Sequence, residues 1–161
     1  APMPKFRFEY AQDVDTVFAL ITDREALIQR CEALGETDIE VNVVDGDGSK
    51  AVTIVRDVEQ ELPGFAKRLI KPKNKLVERE QWRTAGDQKT ATGRLDIVGT
   101  GGKIDSTIRL SPSGSGCVYE IDFQAHAKVP LIRKKLEGFI GDTALESLRA
   151  QHEHYKAVLT K

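Results

Sequence analysis

The chain has 161 residues, 24 Lys and Arg against 25 Asp and Glu, with 40% hydrophobic and 30% charged residues. This is the balance of an ordinary soluble globular protein, long enough to bury about 70% of its unfolded surface without a disulfide or metal staple. A pI near 6.4 with no extended basic face argues against a nucleic-acid binder, and no apolar run approaches the ~18 residues that span a bilayer.

The N-terminus, APMPKFRFEY, lacks the apolar core of a secretory signal. With Met3 as the native start and Ala1–Pro2 as an appended remnant, the protein is expected in the cytoplasm, as one domain over residues 4–161. Lys5 to Tyr10 alternates with Phe6, Phe8 and Tyr10 on one side, the pattern of a strand with one buried face. Asp13 then offers an N-cap to a helical stretch in which Val14, Val17, Phe18, Ile21, Leu27, Ile28, Cys31 and Leu34 keep helical spacing. Thr22–Asp23 divides it into two short helices, with Asp23 capping the second and Gly35 ending it.

From there to residue 129 the period is two. IEVNVV and AVTIVRDVEQ flank DGDGS; KLVEREQWR, TATGRLDIV, KIDSTIRL and CVYEIDFQAHAKV follow, with turns at AGDQK, GTGG and SPSGSG. These six strands imply a meandering antiparallel sheet. One connection is long, ELPGFAKRLIKPKNKLV, and between Leu62 and Val77 it carries Lys67, Arg68, Lys71, Lys73 and Lys75 without an acid. Read as helical turns, it directs Phe65, Leu69 and Ile70 inward as a plug and Lys67, Arg68 and Lys71 outward. After Val129 the period is helical again, starting at Pro130, with Ile132, Leu136, Ile140, Ala144, Leu148, Tyr155 and Val158 in one stripe. Gly138 projects to solvent and Gly141 to the flank, so the pair permits a bend.

The order is strand, two short helices, six strands and a long helix, an α+β arrangement in which the last helix covers the concave face of a curved seven-stranded sheet. It resembles the helix-grip fold of the START-like, or SRPBCC, superfamily, which includes lipid-transfer domains, polyketide cyclases and aromatases, and plant allergen-like carriers. KFRFEYAQDVDTVFALITD, the GFAKRLI connector before a strand ending in Trp82, and AKVPLIRKKLEGFI are similar to an uncharacterised bacterial family within that superfamily. The resemblance implies a cavity for a hydrophobic small molecule or lipid. Its sheet side is expected to include Trp82, Ile108, Tyr119, Ile121 and Phe123, and its helix side Leu136, Ile140, Ala144 and Tyr155.

Motifs that suggest other chemistry have simpler readings. DGDGS opens like a calcium loop, but its twelfth position is Arg56 where a bidentate Glu is required, so it reads as a hairpin. VGTGGK lies between strands, with no helix N-terminus to hold a phosphate. His152 and His154 project to different sides of one helix, and Cys31 and Cys117 sit in no ligand spacing and read as unpaired buried thiols. Neither a metal nor a cofactor is expected. His154 reads as a partly solvated histidine near the frayed end of the last helix; the alternative has it leaning inward beside Gln151 and Tyr155 as a proton-transfer group.

Alternation places Arg56 among Val52, Ile54 and Val58, and Glu78 and Glu80 with Leu76 and Trp82. Either these charges face the cavity, with Arg56 anchoring a carboxylate or phosphate head and Trp82 stacking on the apolar part, or a bulge shifts the register and turns them to solvent. Three functions follow. The first is a ligand-binding protein gated by the 62–75 connector. The second is a cyclase- or aromatase-like enzyme, for which Arg56, Glu80, Tyr155 or His154 must converge. The third is an interaction module in which Lys67, Arg68 and Lys71 meet an anionic membrane or acidic partner.

Overall fold

The computed structural model describes residues 3–161; the reading of Ala1–Pro2 lies outside them. The chain runs β1 (Lys5–Tyr10), α1 (Val14–Ile21), α2 (Arg24–Ala33), β2 (Thr37–Gly46), β3 (Ser49–Glu59), β4 (Lys73–Ala85), β5 (Gln88–Ile97), β6 (Gly102–Ser113), β7 (Gly116–His126) and α3 (Arg133–Leu159). The strands form one antiparallel sheet in the order β1-β7-β6-β5-β4-β3-β2. The first strand therefore closes onto the last, and β2 forms the opposite edge. The two short helices sit in the β1–β2 link, and α3 lies over the concave face.

Local chemistry explains the boundaries. Asp13 accepts the Thr16 amide at 2.8 Å and Asp23 accepts the Ala26 amide at 2.9 Å, so both short helices start on carboxylate caps. At the end of α2 the Gly35 amide reaches the Glu32 carbonyl and the Glu36 amide reaches the Cys31 carbonyl, both at 3.0 Å. This is a Schellman closure, and it requires the left-handed φ of +79° that Gly35 supplies. Helix α3 starts at Arg133, later than the expected Pro130, because Leu131 adopts φ +72° and breaks the helical path. At 27 residues it is still about 40 Å long. No helix among the described residues is long and apolar enough to cross a membrane.

Two apolar clusters hold the layers together. The larger joins Phe6, Tyr10, Val17, Leu27, Trp82, Leu110, Phe123 and Tyr155; the smaller joins Leu62 and Ala66 of the β3–β4 connector to Ala127, Leu136 and Ile140. Cys31 and Cys117 are free, buried thiols. The connector is a run of turns in place of a helix, pivoting on Ala66, whose carbonyl accepts both the Leu69 and Ile70 amides. Ala66 is fully buried while Phe65 and Leu69 are 38% and 45% exposed, which corrects the expectation that those two side chains form an inward plug.

Two glycines give opposite tests of the packing. A Cβ on Gly116 would run into the Tyr10 carbonyl oxygen, whereas one on Gly138 meets nothing within 4 Å. Gly116→Ala should lower the thermal midpoint by about 5–10 °C through overpacking, and Gly138→Ala should raise it by roughly 2–4 °C through helix propensity. Thermal denaturation followed by circular dichroism checks both; similar midpoints for the two variants would contradict the packing.

Candidate functional site

Between the sheet and α3, flanked by the two clusters, lies a cavity of about 170 Å³. Its floor is opened by small residues. Gly93 on β5 and Ser106 on β6 are register partners, and a Cβ on Gly93 would strike the Ser106 hydroxyl. Toward the connector the wall is mostly apolar, with Ile70, Leu76, Leu95, Ile97 and Phe139; Gln60 and Asn74 stand at the strand ends.

The charged side is formed by α2, β3 and β4, and Arg56, the register partner of Leu76, organises it. Its Nη1 donates to Glu78 Oε1 at 2.7 Å, and its Nε lies 3.3 Å from Glu36 Oε1. The second contact is an ion pair too poorly aligned for a hydrogen bond, so the Arg56 Nε and Glu36 Oε1 atoms lack a hydrogen-bonded partner. The Arg56 and Glu36 side chains are 2% and 6% exposed. The sheet register sets Glu78 opposite Ile54, two pairs along from Leu76 opposite Arg56 and so on the same face, and the Schellman turn delivers Glu36 from the end of α2. Sequence alternation placed Arg56 on this face; Glu36 was invisible to it, because its direction depends on a helix cap.

Glu78 and Glu80 project into the same space. Burial alone would raise the Glu78 carboxyl, but Arg56 and Arg30 outweigh it and hold it below its usual range. Glu80 has no such guanidinium contact. Burial and then the charge of Glu78 push it up to about 7, although its Oε1 accepts the Trp82 indole N–H at 2.9 Å. Two neighbouring carboxyls are thus set for different protonation states near neutral pH.

From the helix side come Arg30, His152 and Tyr155. Arg30 lies on the buried face of α2 and donates from Nη1 to the Tyr155 hydroxyl at 3.1 Å. The Tyr10 hydroxyl and His152 Nδ1 share a buried hydrogen bond, and the imidazole packs among Phe6, Phe8, Tyr119 and Tyr155. Burial, then the charge of Arg30, push His152 down to about 3, so it stays neutral. His154 is half-buried near the helix end, and it is His152, four residues after Leu148 on the inward stripe, that faces inward.

Of the residues expected at the cavity, Arg56, Glu80, Trp82, Tyr119, Ile121, Phe123, Ile140, Ala144 and Tyr155 line it. Ile108 is buried in the larger cluster and Leu136 in the smaller, both outside the cavity wall. Phe65 and Leu69 stand on the surface. Arg30, Glu36, Glu78, Ser106 and His152 line the cavity as well, with Thr143, Ser147 and Gln151 from α3. Glu78 had the right alternation; Arg30 and His152 had the right helical spacing but polar identities that apolar-stripe reading passes over.

The profile of a family described as "Protein of unknown function (DUF2505)" matches residues 5–159. No curated protein matches the chain. Among solved structures, a protein from Thermus thermophilus aligns with a TM-score of 0.65 at 13% identity, over 97% of this chain and 95% of that one. A START superfamily protein from Mycobacterium smegmatis aligns with a TM-score of 0.60 at 17% identity, over 99% of both chains. Norcoclaurine synthase from Thalictrum flavum, solved in complex with dopamine and hydroxybenzaldehyde, aligns with a TM-score of 0.54 at 16% identity, over 98% of this chain and 86% of that one. The fold is therefore START-like.

The position of Glu80 gives a pH test. Its carboxyl is raised to about 7 in the folded protein against an ordinary value of 4.5, so the folded state holds a proton that the unfolded chain has released. The stability that the neutral group contributes is complete below about pH 4.5 and is lost as pH rises toward and through 7. Glu80→Gln should match the wild type near pH 4 and become more stable, by several degrees in thermal midpoint, near pH 8. Midpoints of the two proteins that stay parallel from pH 4 to 8 would contradict the raised carboxyl.

Proposed function

The chain belongs to the DUF2505 family, and we propose that it is a binding protein that takes a hydrophobic small molecule or lipid into the cavity between sheet and α3. The observation that carries this reading is the cavity itself, with an apolar wall from β5, β6, β7 and α3 and buried charges from α2, β3 and β4, the composition that lets a site bury a ligand body and fix its orientation. The two small aromatic molecules in the Thalictrum flavum structure support small organic compounds as the ligand class. In this proposal the protein works in the cytoplasm, the 62–75 connector is the gate, and Lys67, Arg68 and Lys71 on its exposed side meet an anionic membrane or acidic partner transiently.

A second reading, an enzyme of the cyclase or aromatase kind, is favoured by one feature: Glu78 and Glu80 form a charged and a protonatable carboxyl facing the same cavity. Nothing else distinguishes it from a binding site with a polar end.

Trp82 is the only tryptophan and lines the cavity, but a neutral external probe reads occupancy more directly. N-phenyl-1-naphthylamine should brighten on mixing with the wild type, and Ala144→Phe, which fills the cavity from α3, should weaken it at least tenfold with the fold intact. Ile70→Ala, which opens the connector end, should speed probe entry several-fold in stopped flow, while Phe65→Ala and Leu69→Ala leave the rate unchanged. Equal affinity for wild type and Ala144→Phe would sink the cavity reading; equal entry rates for wild type and Ile70→Ala would sink the gate.

A further inference from the structure

The cavity holds two buried guanidinium groups, and they are not equivalent. Arg56 lies between Glu36 and Glu78, so its charge is matched from two sides. Arg30 is 4% exposed, and no carboxylate lies within ion-pair distance of it among the described residues. Its hydrogen bonds are to the Tyr155 hydroxyl at 3.1 Å and a weak one to Cys31 Sγ at 3.9 Å. Its Nε–H is buried with no acceptor.

A guanidinium carries five N–H donors and stays charged, so leaving a buried one with a single good acceptor, a neutral phenol, is costly unless something completes it. Burial would favour the neutral form, but Tyr155 and Glu78 outweigh it and the group remains a cation. The guanidinium forms part of the cavity wall, so the acceptor that completes it can come from a ligand. The Tyr155 hydroxyl, next to the same space, can donate to that acceptor as well.

We propose that Arg30 is the head-group anchor of the cavity and that the ligand is an apolar organic acid, whose carboxylate pairs with the free side of the Arg30 guanidinium while its body lies against the apolar wall. This deepens the binding reading above and rests on it. It also moves the anchor away from Arg56, whose donors face Glu36 and Glu78. The acid must coexist with Glu80, which faces Glu78 along its own strand, Trp82 beyond it, Arg30 from α2, Tyr119 from β7 and Tyr155 from α3. With Glu80 protonated, the buried cavity charges are two guanidinium groups against Glu36 and Glu78, and the exposed Arg94 pairs with Asp96, which leaves Arg30 the cation without a direct partner.

The test uses a matched pair of probes, 2-naphthoate and 2-naphthamide, titrated calorimetrically at about pH 6, below the value near 7 at which Glu80 releases its proton. The wild type should bind the acid at least tenfold more tightly than the amide. Arg30→Met, which removes a buried charge while keeping volume, should lose that preference and keep its affinity for the amide. An amide bound as tightly as the acid, or an Arg30→Met protein that still prefers the acid, would overturn the assignment while leaving the cavity reading in place. So would failure of both probes where N-phenyl-1-naphthylamine binds, whereas failure of all three would remove the binding reading too. If Arg30→Met does not fold, the Nε–H resonance of Arg30 in the wild type decides. It should move on titration with 2-naphthoate and stay fixed with 2-naphthamide; movement with both, or with neither, would overturn the anchor.

Discussion

Burying the Arg56 guanidinium is the constraint that orders the rest of the site. A charge with 2% exposure is tolerated only beside opposite charge, and the fold brings that charge from two directions, Glu78 on the neighbouring strand and Glu36 beyond the end of α2. The three residues therefore tie together the strand register, the helix cap and the edge of the sheet. Removing one member leaves another buried and unmatched, an effect on the order of 3–5 kcal/mol in comparable pairs. The pair also explains why Glu80, one alternation further along β4, differs from Glu78. Arg56 reaches only one of the two carboxyls, and the other meets burial and repulsion.

The helix side solves the same problem with neutral groups. His152 is almost wholly buried, and its position against Phe6, Phe8 and Tyr119 leaves no carboxylate to stabilise an imidazolium. It stays neutral and shares a hydrogen bond with Tyr10, joining α3 to β1, while Tyr155 joins α3 to Arg30 of α2. Two polar contacts thus fix how the long helix sits over the sheet. The cavity lies beneath the helix where Gly93 and Ser106 fill less of the floor than their neighbours Ile104 and Phe123.

The architecture was legible because each element carries its own period and its own stop. Phe6, Phe8 and Tyr10 alternate, Asp13 and Asp23 cap, and the turns at Gly48, Gly86 and Gly114 punctuate the strands. The site was half legible. Alternation over straight strands put Arg56, Glu80 and Trp82 on the concave face, since no bulge interrupts the β3–β4 register. What escaped were residues whose direction depends on more than a period. Glu36 is aimed by a Schellman turn, and Leu131 delays α3 through a left-handed φ that leucine rarely adopts. Arg30 shares the face of Leu27, Cys31 and Leu34, three residues from the first and four from the last, yet a basic residue in a helix is ordinarily assigned to solvent.

The cavity carries its charge in the interior, while the connector carries its own on the surface. Its inward contacts are made by Leu62, Ala66 and Ile70, small and branched groups that fit against Leu136 and Ile140, and its larger Phe65 and Leu69 remain outside with the Lys135 ammonium about 6.0 Å from the Phe65 ring centre. Lys67, Arg68 and Lys71 are exposed around them. A cluster of cations on a chain that is otherwise net acidic concentrates anions near its own surface and does little for affinity once a ligand is inside. Arg30 has the complementary property, because it is buried, fixed by Tyr155 and screened little by salt. On the proposed reading the two cationic features act in sequence: exposed charge draws an acid to the connector, and the buried, half-matched guanidinium holds its head once the apolar body has entered.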